Sequence, residues 1–240
     1  MGMVFTRDPD IAYLEVDSDL GITNGKGPHW AVAYVKYDRV NGVNIASRSR
    51  SSTASNRDFC NVLYMAGDDF PDTDDSESGK AECQFRNASN VNTAVFTAEK
   101  LEANTWGMVI GSCDLTEASI QLNDGTKVVL THASTGATGD ILGSNPRWTF
   151  GRDADSNQNS GSNAIMDHIA IFSGSGPSAG DLAKLEAGYP PNQLDQDPLL
   201  YINPDDASEI TTNKGSLADT ITINNLFSGS STGVTYTADS

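Results

Sequence analysis

Basic side chains are scarce in this 240-residue chain: 15 lysines and arginines stand against 32 acids, a formal net charge of −17. Phosphate backbones would be repelled, so no nucleic-acid or membrane partner is expected. Charged residues of both signs make only 20% of the chain, which excludes a helical bundle or a coiled coil. Cysteine is nearly lacking. Cys60, Cys83 and Cys113 are odd in number and without zinc-site spacing, so no disulfide framework is implied, and His29, His132 and His168 are too dispersed to form a ligand motif. The longest apolar run, Trp30 to Val35, is far too short to span a bilayer. The opening MGMVFTRDPD lacks the basic, apolar and cleavage regions of a secretory signal, so synthesis in a cytoplasm is expected. Without that route, Asn87-Ala88-Ser89 reads as an incidental sequon in a loop.

What is present favours strands and turns. Gly, Ser, Thr and Asn are abundant, and a hydrophobic fraction of 38% is enough for a sizeable core at this length. One β domain with long loops is expected. Ile11 to Val16 reads as a strand, and His29 to Tyr37 as one buried on both faces, because nearly every residue could meet an apolar layer. Asn41-Gly42 is a hairpin signal, Ile45 to Asp58 reads as a polar loop, and the apolar run Phe59 to Met65 resumes as a hairpin arm. Residues 67 to 80 hold six acids and one lysine and must loop through solvent. Period-two alternation then marks Ala81 to Asn87 and Thr93 to Glu99. Two more strands follow from Thr105, joined at Asn123-Asp124-Gly125, where a type I′ turn is expected.

Trp148 to Arg152 and Ile165 to Phe172 are further strands around a polar loop. One short helix is predicted over 178–187: Ser178 caps the amide of Asp181, Leu182 and Leu185 share a face, Gly188 offers a left-handed stop and Pro190-Pro191 prevent continuation. The β-prone fragments beyond it include EITTN at 209–213. The organisation expected is an N-terminal arm over 1–11, a sandwich over 12–194, and closing strands or an extension contacting a neighbour over 195–240.

The order of these segments resembles a known family. Trp106 opens a strand, Ile120 to Gly125 ends in an Asn-Asp-Gly turn, and Phe150-Gly151-Arg152 closes a strand. Met166, Asp167, Ile169, Ile171 and Phe172 then make an apolar strand carrying one acid, followed by the capped helix with Leu182 and Leu185. This looks like the laminin-G-like, concanavalin A-like jelly roll. Residues 12–18 and 31–36 resemble its first two strands, with Tyr34 where a Trp often sits, and the likeness runs from about Ala12 to Ala187. The chain departs from the pattern at Ala164 and Ile165, where a small Gly often precedes the Asp-bearing strand. The resemblance implies an all-β, two-sheet antiparallel sandwich.

Candidate sites are few. β-Glucanases on this sandwich use an E-x-D-x-x-E spacing, and Glu15-Val16-Asp17-Ser18-Asp19 places its third acid one residue early, so no hydrolase is expected. No nucleophile elbow, P-loop or H-E-x-x-H is present. Asp153, Asp155, Asn157 and Asn159 put oxygen side chains at every second position of a loop. They are the candidate ligands for Ca²⁺, although Gln158 replaces the EF-hand glycine and no bidentate Glu follows. No cofactor is required. Asp167 is expected to give structural support, either by accepting backbone hydrogen bonds from an adjacent loop or by facing water at a sheet edge, and Trp30, Trp106 and Trp148 to pack in the core.

Two roles follow as expectations. One is a non-enzymatic, surface-displayed jelly roll on a virion, such as a phage capsid decoration or tail-associated component, with other virion proteins or a second copy as partners and host polysaccharide as a further contact. The alternative is a soluble, lectin-like carbohydrate-binding module using Ca²⁺ at one loop edge.

Overall fold

Nine successive residues with no polar side on their pleat can only be a strand packed on both faces, and His29–Tyr37 is that strand (β3). The computed structural model describes residues 2–5, 12–16, 18, 20–22, 28–40, 42–50, 59–68, 77–86, 91–137, 146–151, 163–203, 206–217, 222–227 and 233–237. Among them Ala31, Ala33, Val35 and Tyr37 of β3 face the main core, while Trp30 and Val32 face a second apolar cluster on the outside of the sheet.

The other strands are β1 (Gly2–Phe5), β2 (Ala12–Val16), β4 (Val43–Arg50), β5 (Phe59–Met65), β6 (Ala81–Arg86), β7 (Asn92–Phe96), β8 (Gly107–Cys113) and β9 (Glu117–Leu122). They are followed by β10 (Val128–Thr131), β11 (Pro146–Phe150), β12 (Ala164–Ser173), β13 (Leu200–Ile202), β14 (Ile223–Phe227) and β15 (Thr235–Thr237). Sheet one is eight-stranded, in the order β10-β9-β8-β3-β12-β1-β15, with β13 also on β12. Sheet two is seven-stranded, in the order β14-β2-β11-β4-β5-β6-β7. Every pairing is antiparallel. The inner faces of the two sheets close on one core containing Phe5, Leu14, Ile45, Leu63, Phe85, Trp148, Phe150 and Met166.

The second cluster explains the helix. α2 (Ala179–Glu186) lies over the outer face of sheet one, burying Leu185 and half-burying Leu182 against Trp30, Phe172 and Tyr201. Trp30 stacks on Phe172 at a centroid distance of 3.9 Å and an interplanar angle of 5°. The caps are those expected. Ser178 Oγ accepts from Asp181 N at 3.0 Å, and Asp181 in turn accepts from the Ser178 hydroxyl and from Asp195 N. At the far end Gly188 takes a positive φ of 83°, Gly188 N donates to Leu185 O and Tyr189 N to Lys184 O, which is a complete Schellman motif.

Several expectations are corrected. Ile45 to Asp58 is not all loop, since Val43–Arg50 is a strand inside sheet two, between β11 and β5. Its polar residues Asn44, Ser47 and Arg48 are buried, so the alternation that announces a strand was missing from its composition. Asn41-Gly42 does not make a hairpin, because β3 and β4 belong to different sheets and the chain crosses over there. A Cβ on Gly42 would collide with the phenol end of Tyr64, so any larger residue at the crossing requires that ring to shift. The β9–β10 connection is not a two-residue type I′ turn. Of its residues Asn123 alone has positive φ, and its side-chain and backbone oxygens and nitrogens bind Met108 and Gln121 instead. Glu209 to Asn213 is not extended but follows a 3₁₀ turn at Ala207–Glu209. Gly2–Phe5, assigned to an arm, lies between β12 and β15 within sheet one, and a one-turn helix, α1 (His132–Thr135), follows β10.

The β8–β9 turn carries a pH dependence. Partial burial pushes the Asp114 carboxyl up, but it accepts from Thr116 N and Oγ1, both at 2.7 Å, and from Glu117 N at 3.0 Å. With Ser175 these hydrogen bonds prevail and hold its pKa below the usual value. Stability from a lowered carboxyl is present above the unfolded pKa of about 4 and is lost as pH falls through the folded value. Asp114→Ala is therefore expected to cost about 1 kcal/mol in urea unfolding at neutral pH, and the deficit should vanish near pH 2. A deficit that stays constant across that range would refute the assignment.

Candidate functional site

Antiparallel pairing sends the ends of neighbouring strands to opposite rims, and the described parts of the 38–42, 66–80, 97–106 and 123–127 connections all emerge at one rim. Backbone bonds tie them together: Asp68 N donates to Arg39 O (2.7 Å), Leu101 N to Gly79 O (2.7 Å) and Asn104 N to Tyr37 O (2.8 Å). Gly151 N donates to Asn44 O at 2.8 Å and Asn163 Nδ2 to Asp38 Oδ2 at 3.3 Å, so both anchors of the 152–162 connection sit at this rim too. The rim is acidic. Arg39, held at a φ of 64°, places its guanidinium 2.7 Å from Ser78 Oγ, 3.5 Å from Asp68 and 3.7 Å from Glu102, and Ser78 donates to Asp68. Lys80 pairs with Glu77 at 3.0 Å. Beneath them the Tyr37 hydroxyl donates to Ala66 O (2.9 Å), and burial drives its pKa well above the ordinary phenol value, so it stays protonated.

This arrangement does not make a cation site from the described residues. Asp68, Glu77 and Glu102 are turned toward Arg39 and Lys80, and no group of three or more His, Cys, Asp or Glu side chains converges among the described residues. Asp153, Asp155, Asn157 and Asn159, the candidate Ca²⁺ ligands, lie outside the described residues, as do Asp17, Asp19, the sequon at 87–89 and most of the acidic 67–80 stretch.

A second polar surface, absent from the sequence reading, is the outer face of sheet two. Pairing aligns Asn224, Glu15, Thr149 and Ser47 in one row that continues through the Asn61 backbone to Gln84, and Asn44, Tyr64, Glu82 and Phe96 in the next. Asn44, Ser47, Tyr64, Glu82 and Thr149 are buried and already engaged, so the middle of this face is closed while Tyr13, Glu15 and Gln84 stay half-buried. The signal that could have found part of it is the period-two spacing of polar residues in β2 and β6.

Asp167 lies in neither place. It sits in the centre of sheet one opposite Tyr34, at a bulge where β12 passes from pairing with β1 to pairing with β13. Its Oδ1 accepts from His168 N (2.9 Å), and His168, at a φ of 50°, lays its ring parallel to Tyr201 with Nδ1 2.7 Å from the phenol oxygen. The acid thus takes a structural role, but its donor is the next residue of its own strand rather than an adjacent loop, and it does not stand at a sheet edge. Trp30 and Trp148 are fully buried, as expected, and Trp106 is half-buried.

No family model and no curated protein matches the chain. Solved structures do. A Bacteroides ovatus protein provisionally described as carbohydrate-binding is 14% identical with a TM-score of 0.56, covering 94% of this chain and 60% of that one. The heptameric SAP-like pentraxin of Limulus polyphemus is 11% identical with a TM-score of 0.53, over 77% and 80%. NanB sialidase from Streptococcus pneumoniae is 12% identical with a TM-score of 0.54, over 78% of this chain but 27% of that one. With two antiparallel sheets in this strand order and these neighbours, the chain has a two-sheet antiparallel jelly-roll fold of the concanavalin A-like type.

Proposed function

We propose that this chain is a non-catalytic, lectin-like carbohydrate-binding module that engages glycans at its loop rim. The observation that carries this reading is the overlay on the Bacteroides ovatus protein described as carbohydrate-binding, which takes in nearly the whole of this chain. Chemistry supports the non-catalytic part. Glu15 and Glu82, the described acids on the outer face of sheet two, stand on β2 and β6 with three strands between them. Four strand spacings amount to about 19 Å, far beyond the roughly 5–10 Å that separates the carboxyl pair of a glycoside hydrolase. The rim supports the binding part, because loops held by a rigid sandwich can present oxygen and nitrogen groups to sugar hydroxyls without reordering. No feature of the fold or of its neighbours favours a virion-surface role over this one.

Affinity electrophoresis through gels containing neutral, acidic and amino-sugar polysaccharides tests the reading. Retardation by at least one polymer is expected, with no release of reducing ends on long incubation. A folded chain that none retards would end the proposal, and hydrolysis would end its non-catalytic part. Repeating the gels with chelator, then with added Ca²⁺, decides whether Asp153, Asp155, Asn157 and Asn159 act as cation ligands.

A further inference from the structure

Near the middle of sheet one β12 changes partners. β1 pairs with Ala164 to Met166, β13 pairs with Ile169 to Ile171, and the register with β3 slips between Asp167 and Ala170. His168 stands in that slip with a φ of 50°, a left-handed backbone that is costly for a residue with a Cβ and persists only where its surroundings hold it. Its ring has close neighbours on two strands and in its own. Nδ1 lies 2.7 Å from the Tyr201 phenol oxygen, Nε2 lies 3.8 Å from Asp167 Oδ2, and the ring meets that of Tyr34 at 5.7 Å and 72°. Tyr201 is buried in the outer cluster that α2 covers, and Tyr34 packs against the same cluster. β1, with Met3, Val4 and Phe5, brings no titratable side chain to the bulge, and the charged residue that β3 adds on this face is Lys36, opposite Ile165.

Charge decides what these groups can do. The Asp167 side chain is only 17% exposed, and no lysine or arginine among the described residues pairs with it, so a positive charge can reach it there only from His168. Burial, and then the Asp167 charge, push the Tyr34 phenol up, which keeps it protonated and neutral. We propose that His168 is a proton-operated latch: its imidazolium, held between Asp167 and Tyr201, fixes the bulge at which β1 and β13 both join β12, and loss of the proton loosens the β13 side together with the outer cluster that Tyr201 enters. The charged ring donates from Nδ1 to the phenol oxygen and turns Nε2 to the carboxylate, whereas the neutral ring leaves the acid without a counter-charge. A histidine that gains a carboxylate partner on folding contributes stability that is fully present below its unfolded pKa of about 6.5 and is lost as pH rises through the folded midpoint. The junction is therefore tightest in mild acid and loosens toward alkaline pH, the opposite sense to Asp114. The latch acts whether or not a glycan binds at the rim.

Titration of the imidazole resonances of the full chain by NMR is the test, with His29 and His132 as internal references that the substitutions should leave unmoved. The proton affinity of His168 is expected to fall about tenfold in Asp167→Asn, which removes the charge while its amide oxygen can still accept from His168 N. Amide exchange, corrected for its intrinsic pH dependence, gives a second reading. In the wild type Ile169 to Ile171 and Leu200 to Ile202 should lose protection between pH 6 and pH 8 by several-fold. His168→Asn, whose side chain tolerates the left-handed backbone but does not titrate, should abolish that difference, and it serves even if Asp167→Asn does not fold. A His168 affinity indifferent to Asp167→Asn, or a pH-dependent protection that survives in His168→Asn, would overturn the proposal.

Discussion

Replacing Trp30 with alanine is expected to lower the unfolding free energy by about 4 kcal/mol, a fall in Tm of roughly 10 °C for a chain of this size. Trp30 is fully buried, stacks on Phe172, and its indole N–H donates to Gln196 Oε1 at 3.3 Å. Its removal empties the middle of the outer cluster, on which α2 and the following segment rest through Leu185, Leu194 and Tyr201. Because this cluster is separate from the inter-sheet core, the damage should be local. Limited proteolysis is expected to cut first near α2 while the strands of sheet two keep their amide protection. A melt within a few degrees of wild type would mean that the outer cluster contributes little.

Gly151→Ala should have a comparable effect for another reason. Gly151 has a φ of 84°, and a Cβ there would meet Phe5 Cδ1, itself fully buried, at 2.1 Å. The left-handed backbone costs a non-glycine residue about 1 kcal/mol, and pushing Phe5 out of its rotamer adds about 1–3 kcal/mol. A double-mutant cycle separates the two. With Phe5→Ala in place, Gly151→Ala should cost only the backbone part, about 1 kcal/mol, since the ring it strikes is gone. Additive costs would show that the ring contact is not the cause. The same glycine holds the start of the 152–162 connection through its N–H to Asn44 O, so a glycan titration of this variant also reports how far rim geometry matters to binding.

How legible the molecule was depended on where each residue's partners lie. His29–Tyr37 and Phe59–Met65 were read with the bounds the structure has, and α2 with both its caps, because apolar runs and capping side chains act within a few residues. β4 was lost because Ser47 and Arg48 are buried through tertiary contacts: Arg48 donates to Ile22 O and lies 6.0 Å from the Trp148 ring, a satisfaction invisible in a polar string. The candidate site divides in the same way. Acid-rich stretches could be seen one at a time, but not that 38–42, 66–80 and the anchors of 152–162 share a rim, nor that polar residues of β2, β4, β6 and β11 line up across sheet two.

By itself the sequence determined the all-β class, most strand positions, the capped helix and the strong negative charge, since alternation, turn chemistry and composition are local properties. Only the tertiary structure decided which strands share a sheet, that the chain crosses between sheets from β3 to β4, that β1 enters sheet one, and that β10 ends the order of described strands in that sheet. Those outcomes depend on pairings between residues far apart in the chain, where each strand's partner is chosen by the core that both must close.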